Sequence, residues 1–143
     1  MIEIRPLAGH EVGIVDAKVP LSRLDQPGGE YLVAWADGEP VGHARVDWRE
    51  DPPELQDVLV AESHRRRGIG SALTTAAEEL VCERGHSRFA LTVSAKSPEV
   101  RALYERLGFR ATGAERRIQG TVMIRGQPLE VDDTLVALEK ALV

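Results

Sequence analysis

Arg65-Arg66-Arg67-Gly68-Ile69-Gly70-Ser71 is the stretch whose reading decides the fold of this chain. It follows the apolar run Val58-Leu59-Val60 and opens a stretch with helical spacing from about Ser71. A strand, an arginine-bearing glycine turn and a helix N-terminus together suit a phosphate ligand. The first N–H groups of a helix have no internal partner and lie at the positive end of the macrodipole. Glycine lets the backbone approach a ligand closely and take φ > 0.

Two phosphate sites fail on spacing. A P-loop needs Gly-x4-Gly-Lys-Ser/Thr, and no Lys-Ser/Thr pair follows these glycines. A dinucleotide fingerprint needs a third Gly or Ala three residues after the second glycine, where Leu73 stands. The glycine pair also lies late in the chain for an N-terminal Rossmann unit.

Working outward, Leu73, Ala76, Ala77, Leu80 and Val81 carry the i, i+3, i+4, i+7, i+8 pattern of a helix over about 71–84, with Gly85 as its C′ residue. Upstream, Ile2–Leu7 alternates like a strand. Residues 11–25 show weak helical spacing broken by Pro20. Tyr31–Ala36 and Val41–Trp48 flank Asp37-Gly38-Glu39-Pro40 as a hairpin. Glu54–Val60 is the strand before the glycine turn, and period 2 places Glu54, Gln56, Val58 and Val60 on one face. Downstream, Phe89, Leu91 and Val93 alternate as a strand. Ser97 is placed to cap a helix with Pro98 at N1 and Glu99 in its first turn; Val100, Leu103, Tyr104 and Leu107 form the apolar stripe. Residues 109–118 and 121–138 read as extended, with a turn at Gly126-Gln127-Pro128. This order predicts one domain over residues 1–143, of α/β (α+β) class, with a mixed sheet.

Composition narrows the function. The net charge of −5 argues against general nucleic-acid binding, which depends on neutralising phosphates. The charge is uneven: residues 1–62 hold 5 Lys/Arg against 13 Asp/Glu, and residues 63–143 hold 13 against 10. A basic second half suits an anionic cofactor, and an acidic first half suits a cationic second substrate. No apolar run approaches the roughly 20 residues of a membrane span. Met1-Ile2-Glu3-Ile4-Arg5 does not read as a signal peptide, so a cytoplasmic location is the simplest expectation. Cys82 is the only cysteine, which excludes an internal disulfide and a cysteine-rich metal site; no metal is expected.

Arg65-x-x-Gly68-x-Gly70 resembles the Arg/Gln-x-x-Gly-x-Gly/Ala motif of the GNAT superfamily of N-acyltransferases. A second segment, from Ser97-Pro98-Glu99-Val100 through Leu103-Tyr104 to Gly108-Phe109, resembles that superfamily's Asn-x-x-Ala-x-x-Leu-Tyr-x-x-x-Gly-Phe helix. The spacing of the two segments and the strand–helix order extend the resemblance over nearly the whole chain. Three positions depart from it: Ser97 replaces Asn, Val100 replaces Ala, and Arg66 stands where Gly is frequent. Serine offers fewer hydrogen bonds than asparagine, and arginine at φ > 0 carries strain.

The resemblance implies a mostly antiparallel central sheet flanked by helices, and acetyl-CoA as co-substrate. The N–H groups of Arg66, Arg67, Gly68, Ile69, Gly70 and Ser71 would face its pyrophosphate as a nest, with a charge-assisted bond from Arg65 or Arg67. Main-chain groups of Leu59 and Val60, and Ser97, would meet the pantetheine arm. The chemistry is attack of a primary amine of a small molecule or peptide on the thioester, directly in a ternary complex. An ordinary alkylamine, pKa ~10.4, must first lose a proton. Glu54 resembles the position from which some members supply a glutamate base; Asp57 and His43 are weaker candidates. Tyr104 resembles the tyrosine that protonates the leaving thiolate. Cys82, mid-helix near the apolar face, is a poor nucleophile. The alternative is a CoA-binding sensor or interaction module without catalysis. Small members of the superfamily are often dimers, so a homodimer is a possible state.

Overall fold

The computed structural model describes residues 1–142. Two neighbouring antiparallel strands, β1 (Ile2–Pro6) and β2 (Gly29–Ala36), are separated in sequence by α1 (Val12–Lys18). A turn at Asp37-Gly38 leads from β2 into β3 (Glu39–Asp47), which pairs with β4 (Glu54–Val60). Then follow α2 (Ile69–Glu83), β5 (Arg88–Ser94), α3 (Pro98–Arg106), β6 (Arg110–Ile124) and β7 (Gln127–Ala141). The sheet order is β1-β2-β3-β4-β5-β7-β6, and every pairing is antiparallel except β4 with β5.

Both faces of the sheet are covered, which explains why β2 and β3 are buried almost throughout. Alternation along β2 sends Leu32 and Ala34 to the α2 side, with Leu73, Ala77, Val81, Phe89, Phe109 and Leu138. It sends Tyr31, Val33 and Trp35 to the α1 side, with Val15, Val19 and Leu21. Burial on this scale, at about 25 cal/mol per Å2 of apolar surface, is the main force holding the layers together.

Three expectations change in detail. Helix α2 starts at Ile69, two residues early, with Gly68 as its N-cap at φ 79°. The segments 109–118 and 121–138 are one hairpin that runs unbroken through Gly120, and its turn is Arg125-Gly126 rather than 126–128. The single face assigned to Glu54, Gln56, Val58 and Val60 does not exist. Gln56 pairs with Arg45 and Leu59 with His43, so Asp57 and Val58 together oppose one residue of β3. Asp57 takes φ 55° there. This β-bulge resets the alternation. Leu55, Val58 and Val60 all pack on the α2 side, which leaves Glu54 and Gln56 facing the other way.

Candidate active site

The site begins where the sheet opens. β4 and β5 are parallel neighbours, yet their register contains one pair, Glu54 with Ala90, beside the bond from Ala90 N to Pro53 O at 3.0 Å. Beyond it the strands diverge toward the end of β4 that feeds the glycine turn. The bulge at Asp57 twists β4 at the point of divergence. A parted pair of parallel strands leaves main-chain groups without ladder partners, available to an inserted ligand.

A cavity of about 330 Å3 occupies this opening. β4 contributes its walls from Glu54 to Val58, β5 those from Leu91 to Ser94, and α3 contributes Val100 and Tyr104, with Ser97 just before it. Glu54 and Tyr104, far apart in sequence, therefore line one space. A second cavity, of about 370 Å3, lies against the glycine turn. Val60, Arg65, Arg66, Gly68, Ile69, Gly70 and Ser71 line it, together with His64 and Leu103. Leu103 and Tyr104 are consecutive on α3, so one helix borders both cavities.

The turn has the shape an anion needs. Arg66 (φ 65°) and Gly68 (φ 79°) are both left-handed, the alternation that directs successive N–H groups into one concavity. Ala72 N donates to Gly68 O at 3.0 Å, so helix geometry leaves the N–H groups of Ile69, Gly70 and Ser71 without internal acceptors. A Cβ on Gly70 would meet only Val60 Cγ2, at 3.8 Å, and one on Gly68 would meet nothing within 4 Å. The space in front of the backbone is open, and the residues fit a pyrophosphate. Arg65 Nε donates to Val60 O at 3.1 Å, which holds the turn against the end of β4 and engages that carbonyl. Arg67 and Leu59 line neither cavity; Leu59 packs on the α1 side.

Glu54 is half-buried, and burial raises its pKa above the usual carboxylate range, with the negative charges of Glu50 and Asp47 adding to the rise. Gln56 Nε2 opposes this by donating to Glu54 Oε1 at 3.3 Å. Gln56 is held in turn by Arg45 Nη1, which donates to its Oε1 at 2.8 Å. Tyr104 packs on the main core with its ring edge-on to Phe109, centroids 5.9 Å apart. Burial raises its phenol pKa, which keeps the proton on oxygen at neutral pH.

The other two candidates for the base are held by hydrogen bonds within the fold, and Asp57 also lines the cavity. His43 is fully buried, with Nδ1 2.9 Å from Asp57 O and Nε2 2.9 Å from Pro20 O. Asp57 Oδ2 accepts from Tyr31 Oη at 2.5 Å and from Ser22 N at 3.2 Å. Ser97 precedes α3 as expected, but its side chain makes no capping bond. Its carbonyl accepts from Val100 N and Arg101 N instead, and the residue lines the cavity. Arg23, Thr92 and Ser94 also line the cavity and carried no signal in the sequence. They sit on a loop and an ordinary alternating strand, and only the folded sheet brings them to Glu54.

No group of three or more His, Cys, Asp or Glu is placed to hold a metal among the described residues. No helix among them is long and apolar enough to cross a membrane.

Comparison with known proteins agrees with this geometry. Residues 10–127 match the family model described as an acetyltransferase (GNAT) domain. The chain is similar to a streptothricin acetyltransferase of Streptomyces lavendulae, 34% identical over 95 residues, covering 64% of this chain and 50% of the relative. Three curated relatives are matched over 60%, 50% and 42% of their own lengths, so the chain spans about half of them. Among solved structures, a GNAT family acetyltransferase from Elizabethkingia anophelis with acetyl-CoA bound superposes with a TM-score of 0.77 at 20% identity, covering 99% of this chain and 98% of the other. The ribosomal-protein-S18-alanine N-acetyltransferase of Escherichia coli gives 0.76 at 18% identity, covering 99% and 94%. These two likenesses concern the fold. The glycine turn, the parted strands and the family match over most of the chain lead to one conclusion: the chain belongs to the GNAT acetyltransferase family.

Proposed function

We propose that residues 1–143 form one catalytic domain that transfers an acetyl group from acetyl-CoA to a primary amine of a small molecule or peptide. The acceptor attacks directly in a ternary complex. The observation that carries this reading is the opening between β4 and β5, which has the glycine turn at one end and Glu54 with Tyr104 at the other.

The N–H groups of the turn from Arg66 to Ser71 bind the pyrophosphate, with Arg65 and Arg67 supplying positive charge. Main-chain groups of Leu59 and Val60 and the Ser97 hydroxyl meet the pantetheine arm. Glu54 takes the proton from the acceptor ammonium. A carboxylate raised by burial is a stronger base than an exposed one, so its position inside the sheet suits the task. Tyr104 gives its proton to the departing thiolate.

Two measurements test the reading: calorimetric binding of acetyl-CoA, and release of CoA against a panel of primary amines. Saturable binding with amine-dependent CoA release is expected. Binding without turnover on any amine would identify a CoA sensor, and no binding would remove both readings.

A further inference from the structure

The cavity at Glu54 has a cationic wall that amine acetylation alone does not require. Arg23, half-buried, lines it from the segment between α1 and β2. Its guanidinium makes one hydrogen bond, from Nη1 to Gln26 Oε1 at 3.2 Å, and no ion pair with any described residue. The remaining guanidinium N–H groups have no acceptor among the described residues. An arginine fork with free donors inside a concave site is built for a planar anion.

The position of Arg23 is held by the fold. Its backbone N–H donates to Tyr31 Oη at 3.0 Å, and Tyr31 Oη donates to Asp57 Oδ2. The preceding Ser22 N–H also donates to Asp57, and His43 links Pro20 O to Asp57 O. Residues 20–23 are thus fastened to the bulge of β4, the same feature that sets the direction of Glu54. Asp57 shares the cavity but does not neutralise Arg23: its carboxylate is taken by Tyr31 and Ser22, and no Arg23–Asp57 contact comes within ion-pair distance.

A second cation lies behind the first. Arg45, 1% exposed, bonds to two neutral acceptors, Gln56 Oε1 and Gln26 O, and its guanidinium carbon stands 5.9 Å from the Tyr31 ring centroid. It is in no ion pair among the described residues. Gln26 therefore touches both guanidinium groups, through its side chain to Arg23 and its carbonyl to Arg45. Asp47 lies near enough to Arg45 to favour its charged form, so the cation left open to an anion is Arg23, with Arg45 adding positive charge behind it.

We propose that Arg23 binds a carboxylate carried by one of the reactants, so that one cavity receives an amine at Glu54 and an anionic group at Arg23. This rests on the transferase reading above. The carboxylate belongs either to the acceptor, as in an amino acid, or to the acyl group of the thioester. The acidic bias of the first 62 residues pointed to a plainly cationic acceptor; the cavity itself presents both signs.

The test compares matched pairs on the full chain, Arg23→Gln and Arg23→Lys. One arm offers acetyl-CoA with lysine against cadaverine and with phenylalanine against 2-phenylethylamine. The other offers acetyl-CoA against succinyl-CoA with one fixed amine. In one arm the carboxylated member is expected to exceed its partner at least tenfold in kcat/KM, mainly through KM. Arg23→Gln should compress that ratio toward one, and Arg23→Lys should retain part of it. The arm that responds identifies which reactant carries the carboxylate. Calorimetric titration of CoA-saturated protein with the amine pairs covers acceptors that bind without reacting. No carboxylate preference in either arm and no tighter binding of any carboxylated amine than of its partner overturns the proposal, as does a preference that Arg23→Gln leaves intact. If acetyl-CoA itself does not bind, the transferase reading fails; the same titrations on the free protein then decide the Arg23 site alone.

Discussion

Gln56 Nε2 donates to Glu54 Oε1 at 3.3 Å while Gln56 Oε1 accepts from Arg45 Nη1 at 2.8 Å, so a buried arginine orients the amide that supports the carboxylate. Both residues precede the Asp57 bulge on β4 and face away from the α2 core. Replacing Gln56 with leucine removes a donor that favours the charged form of Glu54. The ascending limb of the pH–kcat/KM profile should then move to higher pH, since Glu54, as the proposed base, must be ionised to act. A limb that stays in place or moves down shows that Gln56 does not act through Glu54.

Glu54→Gln should erase that limb and lower kcat/KM by about a hundredfold, within the usual range for removal of a general base. The sign follows from the direction of the shift. A carboxylate raised by burial is protonated at pH values where an exposed one is ionised, so activity rises later with pH than an ordinary carboxylate would give. A variant profile that overlays the parent transfers the base role to water or another group.

Tyr104→Phe keeps the ring against Phe109 and removes the hydroxyl proposed to protonate the thiolate, together with its hydrogen bond with Thr74. The expected loss falls on kcat, by about a hundredfold, with a smaller change in KM for acetyl-CoA. Unchanged turnover would take Tyr104 out of the mechanism.

Asp57→Ala separates a structural carboxylate from a catalytic one. It leaves the Tyr31 hydroxyl, in a side chain only 7% exposed, without its acceptor, and frees Ser22 N. A loss of about 2 kcal/mol in urea unfolding is expected. The ascending limb of the pH profile should survive in this variant, and its disappearance would make Asp57 the base.

Arg125, at the tip of the β6–β7 hairpin, pairs with Asp16 and donates to Leu21 O at 3.2 Å. The hydrogen bond from Arg125 lowers the Asp16 pKa. A folded-state pKa below the unfolded one adds stability above the unfolded value, and that stability disappears as pH falls through the folded pKa. Arg125→Ala should therefore flatten the acid side of the Tm–pH curve and speed hydrogen exchange at the hairpin tip. An acid limb equal to the parent would mean that the pair contributes nothing to stability, as for many exposed pairs.

Much of the architecture was legible because its signals are local. Helix α2 announced itself through the spacing of Leu73, Ala77 and Val81, and Gly85 ended it with positive φ as expected, as Gly108 does after α3. Strand β4 was read at its observed bounds, Glu54–Val60. The glycine turn was legible for the same reason: Gly68 acts through its positive φ and Gly70 through its missing side chain. The bulge at Asp57 was not legible. It arises from pairing with β3, where one residue opposes two, and nothing within Glu54–Val60 marks it.

The sequence by itself determined the strand–helix order, the glycine turn before α2 and the Tyr104 helix, because each rests on contacts within a few residues. Tertiary structure alone decided that β4 parts from β5 after one pair, that Glu54 turns away from Val58 and Val60, and that Arg23 and Glu54 line one cavity. Those outcomes depend on register, and register is set by cross-strand pairing and by which face each side chain must bury.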